Sequence, residues 1–199
     1  MRIPTLESGH GARQKALFRV ARRLTGGVAP PILVLSYRRD HFGRWLAPCF
    51  QEAMRKATEW STFETELFAA FVSTLNRTRY CMVDHTAVAV AASGDASRVD
   101  QILSDYRSAP IDERLRATLA FLEKLVLDPG DMTPADAERA RRAGASSRAL
   151  REAAYVAFDF SVMDRLADGF GFEVETGRAL RWTARILHRL GYGMASVPG

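Results

Sequence analysis

Apolar side chains recur every three or four positions along most of the chain, which is the period of an α-helix that buries one face. In the segment FETELFAAFVSTL the large apolar residues stand four apart, at Phe63, Leu67, Phe71 and Leu75. Ser61 and Glu64 stand at the start of this segment with the spacing of a capping box, in which each side chain bonds the backbone amide of the other. The pattern therefore predicts an amphipathic helix that begins directly after Ser61.

The same period, interrupted by capping residues, glycines and prolines, predicts helices on both sides of this segment. Their expected bounds are about 12–24, 41–57, 80–92, 95–106, 112–128, 133–144, 146–169 and 175–190. The run ILVL at 32–35 has the composition of a strand, but it is too short and too isolated to build a sheet. The sequence thus predicts an all-α fold, with residues 1–199 forming one domain.

Composition fits one globular domain, because 47% of the 199 residues are hydrophobic. We find no apolar stretch long enough to cross a bilayer, and the charged segment MRIPTLESGHGARQKALFRV lacks the apolar centre of a signal peptide. The two cysteines, Cys49 and Cys81, are too few for a disulfide framework. We therefore expect a protein with free thiols in a reducing compartment, the cytoplasm, with no membrane partner.

The net charge is +5, and basic residues crowd the first predicted helix, at Arg13, Lys15, Arg19, Arg22 and Arg23. A phosphate-binding stripe would have this charge, but so would a solvated helix face. No aromatic residues alternate with the basic ones, and Gly26-Gly27 followed by Val-Ala-Pro-Pro is a poor match to a helix-turn-helix. We expect no nucleic-acid partner, and a helical DNA-binding regulator is the least favoured alternative.

The segment LNRTRYCMVDHTAVAV places Cys81 and His85 four residues apart, and therefore on one face of the predicted helix. Cys81 falls in the first turn, where the helix dipole favours a thiolate, and His85 is placed to act as its base. Glu66, in the preceding helix, is the candidate third group that orients the histidine. The alternative is that Cys81 and His85 are ordinary core residues at a common spacing.

A zinc site would need four ligands, usually grouped in close pairs. The other candidate ligands are scattered, at His10, His41, Cys49 and His188. We therefore expect neither a metal nor another cofactor.

Glu66 is followed by eleven residues, position 78, two residues, Cys81, three residues and then His85. This order resembles the signature of alkyl hydroperoxidase D-like (AhpD-like) proteins. These belong to the carboxymuconolactone decarboxylase superfamily, and the flanking segments ELFAAFVSTLNRTRYCMVDHTAVA and DERLRATLAFLEKL are similar to its peroxidase-related branch. The resemblance covers about residues 30–175 and leaves about 1–29 as an N-terminal helical extension. It implies a helical bundle that assembles as a homo-oligomer of two, three or six chains.

The resemblance also implies a thiol peroxidase reaction, in which Cys81 attacks a peroxide and becomes a sulfenic acid while His85 and Glu66 relay the proton. Thr78 stands where the full motif has a second cysteine, so the usual disulfide cannot form. Cys49 or an external thiol reductant would then have to resolve the sulfenic acid. Tyr80 is expected to line the site beside Thr78.

Two other functions fit the same residues. In a decarboxylase of small lactone or keto acids, Glu66 and His85 would be the acid and base, with Arg77 or Arg79 binding the anionic substrate. In a non-catalytic oligomeric relative, the fold would remain without peroxide reactivity.

Asp84 would oppose a thiolate at Cys81 if its side chain faced the site, but its position on the helix favours the opposite face.

Overall fold

The computed structural model describes residues 1–37 and 39–193, except for the side chains of Glu7, His41 and Phe42. Its α-helices are α1 Thr5–Ser8, α2 Ala12–Thr25, α3 Pro30–Tyr37, α4 Arg44–Arg55, α5 Thr62–Leu75, α6 Arg79–Ser93, α7 Ala96–Asp105, α8 Glu113–Leu127, α9 Pro134–Arg142, α10 Ser147–Phe170 and α11 Gly177–Leu190. No strand occurs within the described ranges, so the predicted all-α class is confirmed.

Most helix starts follow the predicted capping residues. The Ser61 hydroxyl accepts the Glu64 amide at 3.3 Å, and the Glu64 carboxylate accepts the Ser61 amide at 2.8 Å. Two segments differ from prediction. The helix expected from residue 41 begins at Arg44, after a π-helical turn over Arg39–Gly43. The run ILVL lies inside α3, where the two prolines at the start supply backbone angles already suited to a helix.

Helix α5 passes through the centre of the molecule, where it packs against α6, α8 and α10. Every residue from Thr65 to Ser73 is buried, so α5 is covered on all sides rather than along the one predicted stripe. As a result Glu66 is fully buried. Its position between Thr65 and Leu67 in an apolar helix agrees with this burial.

A tight turn returns the chain from α5 into α6. Arg77 adopts a left-handed conformation with φ 61°, and the Thr78 amide bonds the Ser73 carbonyl at 2.9 Å, as in a Schellman motif. The resulting helical hairpin brings the Glu66 side of α5 against the first two turns of α6. Helix α11 then packs over α6 and closes that side of the hairpin.

Replacing Ser61 with alanine should lower the free energy of unfolding by about 1 kcal/mol, because both hydrogen bonds of the capping box depend on its hydroxyl or on the Glu64 geometry that it fixes. Urea denaturation measures the change. Ser104, exposed on α7, is the matched control, and Ser104→Ala should change stability by less than about 0.5 kcal/mol. Equal effects of the two substitutions would contradict the capping role.

Candidate active site

The α5–α6 hairpin brings Glu66 and His85 together. Glu66 Oε2 and His85 Nδ1 lie 2.7 Å apart, and both side chains are buried. Because Nδ1 is engaged with the carboxylate, Nε2 is the nitrogen left for other chemistry. Among the described residues, the structure shows no hydrogen bond to this second nitrogen. The imidazole is therefore oriented by Glu66 as the sequence predicts, while its catalytic role stays a prediction.

Two further residues complete a cluster around Glu66. Arg55, at the end of α4, donates to Glu66 Oε1 at 2.5 Å and to the Leu187 carbonyl at 2.7 Å. Tyr192, directly after α11, places its hydroxyl 3.0 Å from Glu66 Oε1 and 3.3 Å from His85 Nδ1. The sequence predicts neither residue as part of the site, since neither has a diagnostic spacing to Glu66.

This cluster keeps Glu66 ionised. Burial opposes the charged form, but the hydrogen bond and charge of His85 and the positive charge of Arg55 outweigh it, so the pKa of Glu66 is lowered. Burial and the Glu66 charge raise the pKa of Tyr192 well above its ordinary value, so its hydroxyl stays a donor. Glu66 can therefore stabilise positive charge on His85 during a proton transfer.

Cys81 occupies the first turn of α6 and is 1% exposed. Burial raises the pKa of its thiol well above the ordinary value, and the adjacent Asp164 carboxylate raises it further by its charge and by accepting the thiol hydrogen bond. The expectation that the helix dipole would favour a resting thiolate is therefore wrong, because desolvation and Asp164 outweigh the dipole.

Asp164, on α10, is held in place by two donors from the hairpin. The Ser73 hydroxyl donates to Oδ1 at 2.9 Å, and the Asn76 amide donates to Oδ2 at 2.8 Å. One turn along α10, Asp168 Oδ2 accepts the hydroxyl of Thr78 at 2.7 Å. Thr78 thus lies close to Cys81 in the chain but points its side chain at a carboxylate.

A cavity of about 310 Å³ opens beside Cys81 and His85. Its walls come from α2, α3, α4, α6, α10 and α11, and they are mainly apolar. Tyr80 lines it as predicted, and so does Asp84, which is 3% exposed. The expectation that Asp84 would face away is wrong, because α10 and α11 both pack against α6 and Asp84 lies on a covered side of this helix.

The remaining candidates lie away from this cavity. Cys49 is exposed on α4 and does not line the cavity, so its role as a resolving thiol stays a prediction. Arg77 and Arg79 are also exposed and do not line it. His10 is buried elsewhere, with Nε2 3.0 Å from the Leu33 carbonyl. The side chain of His41 lies outside the described part of the chain, and among the described side chains no three of His, Cys, Asp or Glu are grouped so that they could hold a metal ion.

We find no family profile that matches the sequence and no significant match to a curated protein. Solved structures do match. A peroxidase-related protein from Silicibacter sp. TM1040 is 24% identical with a TM-score of 0.73, over 85% of this chain and 88% of that one. An alkylhydroperoxidase AhpD core protein, described as peroxidase-related, from Ralstonia eutropha JMP134 is 23% identical with a TM-score of 0.73, over 100% and 97%.

The debrominase Bmp8 is a third structural neighbour. A cysteine-to-alanine variant of Bmp8 in complex with 2,3,4-tribromopyrrole is 18% identical, with a TM-score of 0.66, over 87% of this chain and 90% of that one. At these identities the comparisons define the fold: the chain has the all-α, AhpD-like architecture. No described helix is long and apolar enough to span a membrane.

Proposed function

We propose that the protein is a cysteine-dependent peroxidase that reduces small apolar hydroperoxides at Cys81. One observation carries the proposal: Cys81 and His85 line the same apolar cavity, and Glu66 orients the histidine through a hydrogen bond to Nδ1. An oriented base beside a thiol is the arrangement that thiol catalysis requires. The AhpD-like fold supports the same reading, since two neighbours of this fold are described as peroxidase-related.

The reaction transfers one oxygen atom. His85 Nε2 accepts the thiol proton, and the Cys81 sulfur attacks the terminal oxygen of the hydroperoxide. The O–O bond breaks, the sulfur is oxidised to a sulfenic acid, and the leaving alkoxide takes the proton from His85 to form an alcohol. Glu66 stabilises the imidazolium while it exists.

The sulfenic acid then needs a reductant. Because position 78 is a threonine, two molecules of an external thiol complete the cycle. The first condenses with the sulfenic acid to a mixed disulfide and water, and the second releases the Cys81 thiol and a low-molecular-weight disulfide. This one-cysteine cycle needs no second cysteine in the chain.

The cavity favours apolar over anionic substrates. No lysine or arginine is among its lining residues within the described ranges. An anionic lactone or keto acid would therefore be desolvated there without a cation, which is costly. This makes the decarboxylase alternative less consistent with the site than peroxide reduction.

The proposal is tested by treating the Cys49→Ser variant with cumene hydroperoxide and with hydrogen peroxide, then trapping sulfenic acid for mass spectrometry. We expect Cys81 to be oxidised at least about tenfold faster by cumene hydroperoxide, because its apolar body is buried in the cavity. Cys81→Ser should consume no peroxide with an external thiol. His85→Ala should slow oxidation by about a hundredfold or more.

Oxidation of Cys49 in the unmodified protein as fast as that of Cys81 would refute the proposal and favour the non-catalytic alternative. A brominated pyrrole is included in the same assay because Bmp8, which shares the fold, is a debrominase. Bromide release that requires Cys81, without reaction with hydroperoxides, would assign reductive dehalogenation instead.

A further inference from the structure

Two carboxyl groups face the cavity close to Cys81. Asp84 comes from α6, and Glu175 comes from the connection that precedes α11; both line the cavity. Asp84 Oδ1 and Glu175 Oε2 are buried, and neither has a hydrogen-bond partner among the described residues. Asp84 is 3% exposed, so its oxygen is shielded from bulk solvent. A buried carboxyl oxygen without a partner needs an explanation, and a ligand that supplies the donor is one.

The neighbouring protein groups do not supply that donor. The Tyr80 hydroxyl interacts with Asp84, and the Thr183 hydroxyl interacts with Glu175, which leaves the two unpartnered oxygens. The titratable groups that interact with Asp84 are Tyr80, Cys81 and His85, from its own helix, and Glu175 and Tyr192 from the end of the chain that covers it. Neither a lysine nor an arginine lines this cavity in the described part of the chain.

We propose that the cavity binds a small apolar molecule that bears an ammonium group, with the nitrogen between Asp84 and Glu175. The apolar body lies against the wall formed by α2, α3 and α11, where the lining residues include Leu17, Ile32 and Ile186. An ammonium group supplies the donors and the positive charge that the two carboxyl groups lack. The binding itself does not require Cys81; calling the molecule a substrate rests on the proposed function.

The protonation of the carboxyl pair supports this assignment. Burial raises the pKa of Asp84 to about 7, and the negative charge of Glu175 adds to the effect. Burial also raises the pKa of Glu175. Near neutral pH, Asp84 in the empty site is therefore partly protonated, and an arriving ammonium ion favours release of that proton. Binding of an amine should release protons, whereas binding of a neutral analogue should not.

The test uses three probes that share a similar aromatic hydrocarbon part, namely phenethylamine, phenethyl alcohol and phenylacetate. Each is titrated calorimetrically into the protein at neutral pH. We expect the amine to bind at least about tenfold more tightly than the alcohol, and phenylacetate to bind most weakly. Titrations in two buffers of different ionisation enthalpy should show proton release for the amine alone. This measurement needs no variant and no turnover.

Variants locate the site. Asp84→Asn and Glu175→Gln should each weaken amine binding about tenfold and leave alcohol binding within about twofold. Glu173→Gln, an exposed carboxylate near Glu175 in the chain, is the matched control and should change neither. Ala179→Trp, which fills the cavity from α11, should weaken both ligands.

The assignment is overturned if the amine binds no more tightly than the alcohol, if no proton is released, or if the amide variants weaken both ligands equally. Separate readouts distinguish this outcome from that of the proposed function. Amine binding is measured calorimetrically without peroxide, and peroxide consumption is measured without amine, so either proposal can fail without the other.

Discussion

Arg55→Met is expected to lower the free energy of unfolding by about 3–5 kcal/mol near neutral pH, because it leaves the Glu66 carboxylate buried without its cation. Glu66 is fully buried, and Arg55 Nη2 lies 2.5 Å from Glu66 Oε1. His85 and the Tyr192 hydroxyl remain as hydrogen-bond partners, but neither carries the permanent positive charge of an arginine. Urea denaturation of the variant and the unmodified protein measures the loss.

Lys56 offers a matched control at the next position in the chain. Its ion pair with Glu52 is exposed, at 62% and 65%, so Lys56→Met should cost less than about 1 kcal/mol. Combining Arg55→Met with Glu66→Gln removes both charges and should recover a large part of the stability. A loss in Arg55→Met no larger than that in Lys56→Met would show that the buried pair does not stabilise the site.

The ionisation of Glu66 also makes the stability of the protein depend on pH. Because the folded protein lowers the pKa of Glu66, this group contributes stability above its ordinary pKa, and the contribution is lost as the pH falls through the folded value. In Arg55→Met the carboxyl group can take up a proton at higher pH. The stability difference between the two proteins should therefore shrink as the solution is acidified from neutral.

Local sequence was enough to predict the α5–α6 hairpin and the Glu66–His85 pair that it carries. The capping box fixes where α5 starts, and a short turn determines that α6 returns alongside it. Glu66 and His85 are only 19 residues apart, so two adjacent helices are sufficient to bring them together. Helical period and capping chemistry contain this information directly.

The environment of the pair depends on contacts that no local pattern contains. Tyr192 forms a hydrogen bond with Glu66, which is 126 positions away in the sequence, and Asp164 forms one with Ser73, which is 91 positions away. The inward position of Asp84 has the same origin, because α11 and α10 cover sides of α6 that would otherwise face water. A charged residue on a helix is ordinarily assigned to solvent, and here tertiary packing overrides that preference.

The protonation state of Cys81 shows the consequence for function. From the sequence, the thiol lies at a helix N-terminus beside a histidine, which predicts a thiolate. In the fold, the Asp164 carboxylate and near-complete burial oppose that charge. A neutral resting thiol reacts slowly with oxidants, so the proposed peroxidase depends on a base, His85, to remove the thiol proton.

Asp164→Asn should therefore raise the thiolate fraction of Cys81 by about tenfold to a hundredfold at a given pH below the thiol pKa, because it removes the carboxylate charge that raises this pKa most. After burial itself, Asp164 is the largest cause of the raised pKa of Cys81. An asparagine in the same place keeps an acceptor for Asn76 and can donate to a thiolate. In the Cys49→Ser background, the ultraviolet absorbance of the thiolate measured against pH gives the thiol pKa without depending on reagent access.

Asp168→Asn, one turn further along α10, is the matched control. Asp168 bonds Thr78 and is a weaker influence on Cys81, so this variant should lower the thiol pKa less. A pKa in Asp164→Asn that stays the same or rises would mean that burial alone keeps the thiol neutral. If the pKa falls as expected, oxidation of Cys81 by hydrogen peroxide should accelerate in parallel.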